Sequence, residues 1–89
     1  MPQAIVDPDE LREFASSLKR YNELVADATA TLQSQFVQLG ETWRDQEQAK
    51  FASEFEDTVR VIAQFQKASE EHIPHLQRKA AEIDQYLGR

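Results

Sequence analysis

Eighty-nine residues with a net charge of −6, two glycines, three prolines and no cysteine make one small domain held by packing alone. The acidic surplus disfavours nucleic acid, whose phosphates need a basic face, and disfavours an anionic membrane surface as a resting place. No stretch approaches the roughly 20 apolar residues of a membrane span, and MPQAIVDPDE has no basic run followed by an apolar one, so no Sec-type signal peptide is read.

In chain order, the residues before Asp7 are expected to be loose. Asp7-Pro8-Asp9-Glu10 then starts a helix. Asp7 can accept from backbone N–H groups of the first turn, and Glu10 can reach back as in a capping box. Pro8 suits the first helical position, and the acids oppose the positive end of the helix dipole. Leu11, Phe14, Leu18, Tyr21, Val25, Ala28, Leu32, Gln35 and Leu39 follow at steps of three and four, a heptad-like stripe on a helix over about residues 8–39. Gly40 is the expected left-handed C-cap. The corner covers 40–45, and either Thr42 or Asp45 can cap the next helix.

That second helix, about residues 45–87, carries Phe51, Phe55, Val59, Ile62, Phe65, Ser69, His72 or Ile73, Leu76, Ala80, Ile83 and Leu87, and Gly88 ends it. Pro74 lacks an N–H and crowds the Glu70 carbonyl, which predicts a kink or a break near 70–74. At 1.5 Å per residue the helices are roughly 45 and 60 Å long. The short connection makes them antiparallel neighbours.

A two-helix seam does not use all of this apolar surface. Ala15, Leu24 and Phe36 lie beside the first stripe, and Ala52, Val61 and Ile73 beside the second. Each buried Leu, Ile or Phe is worth about 1.5–3 kcal/mol, so a wet flank forfeits much stabilisation. The fold class is therefore all-α: an antiparallel two-helix hairpin, residues 1–89, dimerising into a four-helix bundle. Core and dimer packing is assigned to Leu11, Phe14, Leu18, Tyr21, Val25, Leu32, Phe36, Phe55, Val59, Ile62, Phe65, Leu76 and Ile83. Gln35, Ser69 and His72 are polar stripe positions that can set register.

Chemistry-bearing motifs are scarce. His72 and His75 have helical spacing, but Pro74 lies between them and no further His or Cys completes a zinc shell. Glu54, Glu56 and Asp57 lie in a charged helix with Lys50 and Arg60, where surface pairing, Glu56 to Arg60 in particular, is the default. There is no nucleophile beside a base, no phosphate-cradling loop and no cofactor motif. No enzymatic activity, cofactor, metal or small-molecule substrate is expected.

One aromatic stands apart. Trp43, the single tryptophan, sits in LGETWRDQ at the corner, with Leu39 before it and Ala49 and Phe51 after it. An acidic chain of this length, with two antiparallel helices and a Trp corner, resembles the WXG family of small type VII secretion substrates, the early-secreted-antigen-like proteins. That family reads Trp-x-Gly, then a small-residue patch and a Phe. Here Asp45 stands at the glycine position, and the Tyr-x-x-x-Asp/Glu tail is not completed after Tyr86. The resemblance implies a homodimer or a heterodimer with a related chain, contact with a secretion ATPase, and export by a signal-peptide-independent route. It also implies recognition through Trp43, Asp45 and Phe51. An intracellular helical adaptor that stays in the cytoplasm is the alternative function, and a ring that merely caps the bundle end is the alternative role for Trp43.

Overall fold

A computed structural model describes residues 6–88 and consists of two helices, α1 over Pro8–Leu39 and α2 over Gln46–Tyr86. The expectation of a loose start falls mainly on residues 1–5, which lie outside the described residues. The hairpin measures 63 × 26 × 16 Å, one layer of helix thick.

Both N-termini are capped by aspartate in extended backbone. Asp7 accepts from the Asp9 N–H at 2.8 Å, and Asp45, not Thr42, accepts from the Gln48 N–H at 2.9 Å. Each bond satisfies a donor that the first turn leaves without a helical partner. At the far end the left-handed residue is Gly88, with φ 73°.

The seam follows a seven-residue repeat. Pro8, Leu11, Ala15, Leu18, Asn22, Val25, Thr29 and Phe36 are the less exposed residues of α1. Those of α2 are Gln48, Ala52, Phe55, Val59, Ile62, Gln66, Ser69, Ile73, Leu76, Ala80 and Ile83, together with Asp84. Steps of three and four sustained this long keep one stripe facing the neighbour as in a left-handed coiled coil.

Small side chains occupy the tightest places. Ala15 and Ala80 are 1% and 0% exposed, and no large side chain is fully buried among the described residues. The middle of the seam is polar. Gln66 Nε2 donates to the Asn22 carbonyl at 3.2 Å and Ser69 Oγ to the Phe65 carbonyl at 2.8 Å. The Asn22 side-chain amide is buried without a protein partner, which costs about 1–3 kcal/mol.

The expected α1 stripe is offset from this seam at every second position. Ala15, Asn22, Thr29 and Phe36 face α2, whereas Phe14, Tyr21, Ala28 and Gln35 lie one residue away and are exposed. Periodicity weighs large apolar residues, but close helix approach favours small ones. Phe51, Phe65 and Leu32 likewise sit beside the seam, about half exposed. Tyr21 meets Phe65 edge-on across the flank, ring centroids 6.2 Å apart.

α2 runs through Pro74 as one helix, so the break allowed for near residues 70–74 does not occur. Pro74 is exposed, which leaves the Glu70 carbonyl room to bond water in place of the missing N–H. The expected Glu56–Arg60 pair is replaced by Arg60 donating to Asp57 at 3.1 Å. At the open end Arg12 bridges Asp9, one turn away at 3.3 Å, and Asp84 on α2. Its hydrogen bond with Asp84 pushes the guanidinium pKa up further.

Replacing Pro74 with alanine restores a helix-forming residue at a solvent-facing position, where an interior proline is disfavoured by about 3 kcal/mol. The thermal midpoint of Pro74→Ala, followed by circular dichroism, should stay level or rise. A clear fall would show that the ring is needed for packing.

Candidate functional site

The corner is built by chain reversal over six residues. Gly40 N–H bonds the Phe36 carbonyl at 3.1 Å, Glu41 N–H the Gln38 carbonyl at 3.2 Å, and Trp43 N–H the Leu39 carbonyl at 3.0 Å. Gly40 is not the expected left-handed cap, since its φ is −62°. Its value is spatial: a Cβ there would stand 3.2 Å from the Val37 carbonyl oxygen. Arg44 closes the turn by donating from Nε to the Gly40 carbonyl at 2.9 Å. Asp45 follows at φ −90°, ψ −172°, backbone that any L-residue adopts, so aspartate at this place strains nothing and supplies a cap that glycine lacks.

This turn holds the Trp43 ring over the end of the seam. Phe36 is the hub of an aromatic cluster. Its centroid lies 6.4 Å from Trp43, 5.4 Å from Phe51 and 5.6 Å from Phe55. Trp43 and Phe51 are 6.4 Å apart, and Phe51 and Phe55 5.8 Å. Edge-on and tilted pairs at such separations add about 0.5–1.5 kcal/mol each beyond area burial. Trp43 is half-buried and Phe51 is 45% exposed, so the cluster is open to one side.

On that side lies an apolar cavity of about 310 Å³ lined by Leu32, Gln35, Phe36, Leu39, Trp43 and Phe51. A second, of about 340 Å³, shares Leu32 and Phe51 and continues along the flank past Glu54, Phe55, Thr58 and Ile62. No charged side chain lines the first cavity. It suits the insertion of an apolar or aromatic side chain, not acid–base or transfer chemistry.

Of the three residues assigned to recognition, the structure brings Trp43 and Phe51 together at this cavity. Asp45 stands apart as a helix cap. The sequence placed Phe36 in the packing set but gave no sign that it is the hub. The part played by Arg44 left no sequence signal, because an arginine after a corner tryptophan reads as a surface charge.

The histidine pair is a local ring contact, His72 and His75 centroids 6.4 Å apart, both exposed. No group of three or more His, Cys, Asp or Glu side chains positioned for a metal occurs among the described residues. Nor is any described helix long and apolar enough to cross a membrane.

The family model described as WXG100, proteins of 100 residues with WXG, matches residues 3–86. No curated protein and no solved structure matches the chain.

Two imidazoles alone make an incomplete zinc shell. Titration with zinc should therefore leave the thermal midpoint unchanged. A stoichiometric rise that disappears in His72→Ala would overturn that expectation.

Proposed function

This chain belongs to the WXG100 family, and from that premise we propose that it is a non-enzymatic hairpin serving as substrate, co-substrate or carrier of a type VII-like secretion system. It works as one half of a four-helix bundle. The other half is a hairpin of the same kind. The bundle travels by a route that reads folded shape in place of a signal peptide, with the secretion ATPase as the component that reads it.

The observation that supports this most is the corner. Trp43 is held by a turn built for it and lies beside Phe36 and Phe51 over an apolar cavity. A half-buried indole with a ready cavity is the kind of feature that dominates binding energy at protein interfaces. Trp43 and Phe51 then form the contact, and Asp45 acts through the position of the turn.

The test separates recognition from packing. Trp43→Ala should keep helix content and oligomeric mass close to wild type while abolishing export, or binding to the secretion ATPase. Phe55→Ala, at the seam, should instead lower stability by about 3 kcal/mol and lose function as a consequence. Equal unfolding by the two variants would make Trp43 a structural plug. The protein would then be better understood as an adaptor that is not exported.

A further inference from the structure

The flank away from Phe14 and Tyr21 holds a groove of a different kind, and we propose that it binds an extended peptide segment carrying a basic side chain. The groove has a volume of about 470 Å³, larger than either cavity on the apolar flank. Lys19 and Glu23 stand on its α1 wall, each one residue round the helix from a seam position. Glu70 and Pro74 stand on its α2 wall, and Asn22 and Gln66 lie at its floor. The site is separate from the Trp43 corner and does not depend on export.

Two groups in this groove lack the partners that their chemistry demands. The Asn22 side chain is 9% exposed, and neither its Nδ2 donor nor its Oδ1 acceptor has a hydrogen bond. Packing does not require an amide here, because a leucine of similar shape fills the layer without an unsatisfied donor and acceptor. Gln66 does not meet the need. Its Nε2 is committed to the Asn22 backbone carbonyl at 3.2 Å. The second group is the Glu70 carbonyl, whose helical donor would be the N–H of residue 74, where the helix has proline.

A peptide unit offers one N–H and one C=O. Asn22, turned toward the groove, meets both at once, Oδ1 accepting from the N–H and Nδ2 donating to the C=O. Glu70 lies one turn along α2 from Gln66, the residue that touches Asn22, a rise of about 6 Å. In an extended strand the N–H groups on one edge recur at about 6.6 Å. The Glu70 carbonyl therefore accepts from the next N–H on the same edge. From Gln66 to Gln77 the groove follows roughly 16 Å of α2, room for about five extended residues. Among the described residues no ion pair engages Lys19, Glu23 or Glu70. The rim thus has two free carboxylates to one ammonium, on a chain of net charge −6. A cationic side chain on the strand meets this surplus, and an acidic one is repelled.

Nuclear magnetic resonance on the isotope-labelled chain tests this with a blocked pentapeptide, acetyl-Ala-Val-Arg-Val-Ala-amide. The peptide should saturably shift the Asn22 side-chain NH2 signals and the backbone signals of residues 70–73 at or below millimolar concentration. Asn22→Leu should raise the peptide Kd by about tenfold or more while the thermal midpoint stays level or rises. Pro74→Ala, which returns an N–H to the Glu70 carbonyl, should raise the Kd about threefold, again without loss of stability. Weaker binding by a fold that is no less stable is a result that a purely structural role does not produce. Exchanging the arginine of the peptide for glutamate should weaken binding by about tenfold. Absence of saturable shifts, or shifts unchanged in both Asn22→Leu and Pro74→Ala, would overturn the site. Shifts centred on Trp43 and Phe51 would assign the peptide to the corner cavity and overturn it equally. Equal affinity for the arginine and glutamate peptides would overturn the preference for a basic segment.

Discussion

Two long helices can approach closely only where their facing side chains are small, and this hairpin is organised by that steric limit. Ala15 and Ala80 are the most deeply buried hydrophobic residues, and Asn22 and Ser69 the buried polar ones. Large apolar residues are displaced from the tight part of the seam to one side of it. Phe14, Tyr21, Leu32, Phe51 and Phe65 remain about half in water. The seam alone is a thin source of stability, because it buries no large side chain completely and its middle layer contains a buried amide without a protein partner. The same limit that lets the hairpin close leaves a second apolar surface for another molecule to cover.

Towards the corner the seam becomes aromatic. Phe36, Phe51 and Phe55 stack against one another there, with Ala52 on the seam between the last two. Trp43 extends the cluster beyond the last helical turn. The turn that carries it brings the Gly40 backbone close to the Val37 carbonyl and is closed by the Arg44 side chain, with no left-handed residue. The far end is closed differently, by the Arg12 bridge to Asp84. One end is therefore apolar and open to insertion, the other polar and locked by charge.

Much of the architecture was legible in the residues. Asp7-Pro8 announced the first helix, and periodicity and the Trp43 corner gave the hairpin. What periodicity could not resolve was which of two adjacent apolar stripes faces inward. Phe14 and Tyr21 outrank Ala15 and Asn22 on hydrophobicity, yet the seam takes the smaller residues for steric reasons that no hydrophobic pattern encodes. At Pro74 the helix runs on without the break that the sequence allowed for. The cost of the proline depends on whether the neighbouring carbonyl reaches solvent, which depends on the face it occupies. At the corner, the association of Trp43 with Phe51 came from the family resemblance, while the Phe36 hub and the Arg44 closure needed three-dimensional proximity. Asp45 in place of the family glycine is explained by backbone angles that were invisible beforehand.

The central claim is that the hairpin is only half of a stable unit and that its exposed flank needs a partner. The most direct measurement is the thermal midpoint of the isolated chain as a function of its own concentration. If folding is coupled to pairing, the midpoint should rise by about 3–5 °C for each tenfold increase in concentration across the micromolar range. A cooperative transition whose midpoint does not move with concentration would contradict the account, because it would show that the seam and the corner suffice on their own.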